Sequence, residues 1–121
     1  MDRITIEMEG TPRNFHFGTG FIGEVIEKLN IGFEQLQGAV NANPYKTIPV
    51  MLYESHRWAC VVDNVECDMR LADMVTAIDA EGGVGGEKVL EFLRAFGKSR
   101  TKDVPAEAKK TRPKTTRKAK K

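Results

Sequence analysis

The sequence predicts an α+β domain: an N-terminal antiparallel β-hairpin, then a compact bundle of about five short helices, then a disordered basic tail. Three observations predict it. Residues 3–9 and 14–17 alternate apolar and polar side chains around a turn-forming stretch. From Ile22 onward the apolar spacing changes to that of helices. Near Lys98 the composition changes, and one large apolar residue, Val104, remains in the 23 residues of 99–121.

The first strand places Ile4, Ile6 and Met8 on one face and Arg3, Thr5, Glu7 and Glu9 on the other. Gly10-Thr11-Pro12 reads as the turn. Phe15 and Phe17 then point inward, with Asn14 and His16 outward. A lone hairpin is marginal in water, so its apolar face must rest on the helices.

The first helix carries Ile22, Val25, Ile26 and Leu29 at i, i+3, i+4, i+7 spacing. Asn30-Ile31-Gly32 breaks it. A short helix follows with Phe33, Leu36 and Val40 on one face, and Asn41-Ala42-Asn43-Pro44 ends it. Thr47 is the expected N-cap of a longer helix reaching about Val62, with Pro49 in its first turn. Asp68 is the expected cap of the next helix, with Leu71, Met74, Val75 and Ile78 as its buried stripe. Gly82-Gly83-Val84-Gly85-Gly86 is a flexible break. The last helix spans about Glu87 to Lys98, with Val89, Leu90, Phe92, Leu93 and Phe96 as its apolar residues.

The chain of 121 residues is 30% charged and 40% hydrophobic. This length suits one domain and excludes a full kinase or a TIM barrel. No run of 18 apolar residues exists, so no membrane span is expected. The first residues hold no continuous apolar stretch of the signal-peptide kind, so the expected location is a cytoplasm. The net charge of +2 hides an asymmetry: residues 1–98 carry −6 and residues 99–121 carry +8. We therefore divide the chain into a globular domain, 1–98, and a lysine-rich tail, 99–121, too poor in apolar groups to fold alone.

Gly18-Thr19-Gly20-Phe21-Ile22-Gly23 matches the spacing of dinucleotide and kinase glycine loops. The context those sites need is missing: no parallel second strand follows, and no Val-Ala-Ile-Lys, His-Arg-Asp or Asp-Phe-Gly exists. The glycines are read as a tight corner and close helix packing, and no cofactor is expected. His56 and Cys60 stand four apart, with Cys67 as a third metal-ligand type, but no fourth ligand has convincing spacing, so no metal is expected. Both cysteines read as reduced thiols. Ser55 and His56 are helix neighbours and do not face each other; no nucleophile–base pair is readable, and the expectation is a non-enzyme. Met8, Met51, Met69 and Met74 are adaptable apolar side chains, for the core or for a surface fitting varied helix faces.

The candidate binding residues are cations of the tail: Lys109, Lys110, Arg112, Lys114, Arg117, Lys118, Lys120 and Lys121. They could engage phosphates with a salt-dependent affinity. The tail holds no aromatic residue for base stacking, so nucleic-acid binding through it would be nonspecific. Three other readings outweigh nucleic acid: a solubilising appendage, a tail folded back on the acidic body, or a contact with an acidic partner protein.

Four stretches in order carry a resemblance. They are Phe15-His16-Phe17-Gly18-Thr19-Gly20-Phe21-Ile22-Gly23-Glu24, the run from Asn43-Pro44-Tyr45 to Tyr53-Glu54-Ser55, the run from Asp73-Met74-Val75 to Glu81-Gly82-Gly83, and the run from Lys88-Val89-Leu90 to Gly97-Lys98-Ser99. As a set, this resembles the tail assembly chaperones of long-tailed bacteriophages over roughly residues 3–103. The resemblance implies a non-enzymatic holdase for the tape measure protein, a long helical chain with exposed apolar stripes. Such a holdase keeps its client soluble until tail tube protein polymerises around it. It acts in the host cytoplasm and is lost from the mature virion. A longer frameshifted form of the same chain is a further implied partner, and weak self-association belongs to the same expectation. The alternative is a small nucleic-acid-binding accessory protein acting through the tail.

Overall fold

A computed structural model describes residues 2–101. It is an α+β domain with one antiparallel hairpin at the N-terminus and five α-helices after it. Strand β1 is Arg3–Met8 and β2 is Thr11–His16. Pairing runs from Arg3 with His16 to Met8 with Thr11. The turn is shorter than the sequence suggests. It consists of Glu9 and Gly10, both at positive φ (54° and 79°), the two-residue geometry whose twist matches the strands. Thr11 and Pro12 thereby join β2. Pro12 is tolerated because both strands of a two-stranded sheet are edges. Ile6, Met8, Phe15 and Phe17 are buried, as the alternation predicts. His16 is only half exposed, and its Nδ1 accepts a hydrogen bond from the Gly18 backbone N–H at 3.3 Å.

Helix α1, Thr19–Leu29, ends at Asn30, whose left-handed φ of 57° closes the last turn. Its buried face is Phe21 and Val25, one step round from the predicted stripe; Ile22, Ile26 and Leu29 lie half-buried at its border. A 3₁₀ turn, Phe33–Gln35, leads into the short helix α2, Leu36–Ala42.

Helix α3, Pro44–Val62, is the spine of the domain: β2, α1, α2 and α4 all pack on it. It starts three residues before the expected Thr47 cap. Asn43 holds the cap position, and Pro44 takes the first helical position, where a missing N–H costs nothing. Thr47 is buried instead, and its Oγ1 donates to the Ala39 carbonyl at 3.2 Å, tying α3 to α2. Pro49 therefore sits inside the helix rather than in its first turn. The carbonyl it leaves unpaired, four residues back, belongs to the exposed Tyr45.

Helix α4, Leu71–Ala80, is not capped by Asp68. Asp73 supplies the cap, its Oδ2 accepting the Arg70 N–H at 2.9 Å. Asp68 forms an ion pair with Arg13 at 2.8 Å. The buried stripe is Met74, Ala77 and Ile78, on the side that packs against α3; Leu71 and Val75 face outward. After α4, Gly82 and Gly83 both take positive φ, and Gly86 lies so close to the Glu81 carbonyl that a side chain there would collide.

Helix α5, Glu87–Thr101, continues three residues past Lys98. Val89, Phe92 and Ala95 are buried in the core, while Leu90 faces outward. Ser99 is also buried, and Arg100 Nη2 donates to the Phe17 carbonyl at 2.7 Å. The core centres on Phe15, Phe17, Phe21 and Phe92, whose rings meet at tilted or edge-on angles with centroids 5.4–5.9 Å apart. All four internal methionines are buried, so they fill the core rather than form an adaptable surface.

Candidate functional site

The tail cations predicted to bind a partner lie outside the described residues. The described surface offers a groove of about 340 Å³ between the 3₁₀ turn, α2 and α5. Its floor is Leu36 and Met51, both buried. Val40 and Leu93 form the walls, half-buried, and Phe33 stands at the rim with 48% of its surface exposed. The Phe33, Leu36, Val40 face read from helical spacing is thus one wall of the groove. Most of the surface lining it is apolar.

Two residues of α5 shape the groove. Gly97 on α5 is exposed and lines it, and a Cβ added there would meet no atom within 4 Å. A glycine inside a helix costs about 1 kcal/mol relative to alanine. Here it keeps the α5 wall low. Arg100 closes one end; its guanidinium lies over the Phe96 ring at 5.7 Å and is held by the Phe17 carbonyl. Glu34 lies in the same lining, so opposite charges flank an apolar channel. The described chain ends at Thr101, one residue beyond Arg100, which lines this groove.

Glu54 is fully buried, unlike most acidic side chains. Lys28 Nζ lies 2.8 Å from one of its carboxylate oxygens and Arg57 Nε lies 2.9 Å from the other. The hydrogen bond to Glu54 raises the Lys28 ammonium above its ordinary pKa. This triad locks α1 to α3.

Ser55 and His56 do not act on each other. Ser55 Oγ donates to the His16 carbonyl at 3.0 Å, and His56 Nδ1 meets the Asn14 carbonyl at 2.9 Å. Two neighbouring helix residues thus bind the exposed edge of β2. Burial lowers the His56 pKa from its ordinary value. The glycine-rich corner works by close packing at Gly20, where a Cβ would stand 2.7 Å from the Trp58 ring. The fold does bring His56, Cys60 and Cys67 together, with their ligand atoms within 4.8 Å of one another.

No protein-family model, curated protein sequence or solved structure matches this chain. No helix among the described residues is long and apolar enough to cross a membrane.

The groove's shape was not legible in the sequence. Phe33, Leu93 and Phe96 looked like ordinary helix stripe residues. The one available signal was Gly97, a helix-interior glycine with no turn to explain it.

Proposed function

We propose that this chain is a non-enzymatic tail assembly chaperone that holds the tape measure protein in soluble form. The observation that carries the reading is the apolar groove between α2 and α5, with Phe33 exposed at its rim and Gly97 keeping its wall low. The tape measure protein, on the family resemblance, is a long helix with exposed apolar stripes. An amphipathic helix lays such a stripe into a groove of this kind, with side chains at i, i+3, i+4 and i+7 as anchors. The +8 charge of residues 99–121 supplies long-range attraction, which raises the association rate and gives it salt sensitivity. Tail tube protein and a frameshifted longer form of the chain follow as partners from the same resemblance, with the host cytoplasm as the site of action and absence from the finished virion.

The test is co-expression with an aggregating tape measure fragment. The full chain should keep the fragment soluble, and Phe33→Asp should abolish this while leaving the fold intact, because Phe33 is already half in water. Neutralising Lys109, Lys110, Arg112, Lys114, Arg117, Lys118, Lys120 and Lys121 should weaken association at low salt. It should matter little near 0.5 M, where the Debye length is about 4 Å. The nucleic-acid reading ranks the regions the other way. An unaffected Phe33→Asp variant beside tight, steeply salt-dependent duplex DNA binding by a tail peptide would overturn the chaperone reading.

A further inference from the structure

At the end of α3 the chain turns back on itself. Asn64 takes a left-handed φ of 58°, and the Val65 N–H bonds the Cys60 carbonyl at 3.0 Å. The connection 63–70 then runs beside α3 and is anchored twice. Asp68 pairs with Arg13 on β2, and Met69 is buried in the core. These anchors bring Cys67 back against Cys60 and His56, with all three ligand atoms within 4.8 Å.

The chemistry of the trio is specific. A carbonyl oxygen only accepts, so His56 Nδ1 must carry the proton it shares with the Asn14 carbonyl. The lone pair of the neutral ring therefore lies on Nε2, 3.8 Å from Cys60 Sγ. A backbone carbonyl holding the far nitrogen is the usual outer support of a metal-bound imidazole. Zinc bonds to sulfur and nitrogen of about 2.3 and 2.0 Å place tetrahedral ligand atoms about 3.6–3.8 Å apart. His56 Nε2 and Cys60 Sγ already stand at that spacing, and all three ligand atoms lie within 4.8 Å of one another. Two thiolates and a divalent cation sum to zero charge, which a half-buried site accommodates. A surface cleft of about 220 Å³ lined by His56, Cys60, Glu66 and Asp68 gives an ion a route in and leaves room for a fourth ligand, water or a carboxylate.

We propose that His56, Cys60 and Cys67 form a binding site for a thiophilic divalent cation of the zinc type, which clips the 63–70 connection onto α3. Thiols bind such a cation as thiolates, so binding must release protons. The site is independent of the groove and of the chaperone reading.

The experiment uses the tag-free full chain, purified under reducing conditions. Zinc measured by mass spectrometry should approach one per chain. Titration with cobalt(II) should produce sulfur-to-cobalt charge transfer and the visible bands of a tetrahedral ion. Cys67→Ser replaces a half-buried ligand at the border of the core by a near-isostere, so the variant should keep its circular dichroism spectrum and bind cobalt at least about tenfold more weakly. Zinc should raise the thermal midpoint of the wild type and not that of Cys67→Ser. Absence of cobalt bands at one equivalent would overturn the proposal. So would equal binding by Cys67→Ser, or recovery of the untreated chain as a metal-free Cys60–Cys67 disulfide.

Discussion

The indole ring of Trp58 fills the space that a side chain at Gly20 would need, with three ring atoms 2.7–2.8 Å from the position of a Cβ there. The glycine opening α1 is thus a contact point between α1 and α3. Gly20→Ala should destabilise the domain by about 1–3 kcal/mol through overpacking. In a Trp58→Leu background the same change should cost clearly less. A double-mutant cycle from urea unfolding reads the difference, and additive effects would refute the clash.

Glu54 is a buried charge held by two cations that reach it from the surface. Arg57→Ala leaves the carboxylate with one partner and should cost about 2 kcal/mol. Lys28→Ala should cost less, because half of the lysine side chain is already in water. Denaturant midpoints of the two variants give the ranking directly.

Gly97 separates stability from binding. Gly97→Ala should stabilise α5 by roughly 0.5–1 kcal/mol and raise the thermal midpoint by a few degrees. Gly97→Leu should fill the groove, keep the helical spectrum and lose the ability to solubilise a tape measure fragment. A Leu variant that solubilises as well as wild type would place the contact elsewhere.

Acid should weaken the fold through two surface carboxylates. Hydrogen bonding to Arg3 holds Asp63 below its ordinary value of 3.8, and hydrogen bonding to the Arg70 side chain does the same for Asp73. The unfolded chain therefore takes up these protons first as pH falls. The stability they supply is fully present above 3.8 and is lost as pH drops through the lower folded values. The Asp63→Asn, Asp73→Asn double variant should show a shallower loss of stability between about pH 5 and about pH 3. Urea midpoints at the two pH values test it.

Local pattern determined much of this protein. Alternation around Ile6 and Phe15, helical spacing in α1, α4 and α5, and glycine breaks near 82–86 placed the hairpin and the helices in order. Such signals depend on side chains a few residues apart, which the sequence displays directly. What depends on distant partners was decided by tertiary structure alone. Thr47 and Asp68 are good caps by type, yet one was drawn to the Ala39 carbonyl and the other to Arg13. Leu71, Val75 and Leu90 belong to apolar stripes but remain exposed among the described residues. Glu54 is buried where Lys28 and Arg57 converge on it, and the groove lies between residues of α2 and α5 over Met51, with a glycine at its opening. His56, Cys60 and Cys67 show two ligands on one helix and one beyond it. Only the turn at Asn64 and the anchors at Asp68 and Met69 close the distance, because through-space contact depends on where the chain returns and not on spacing along it.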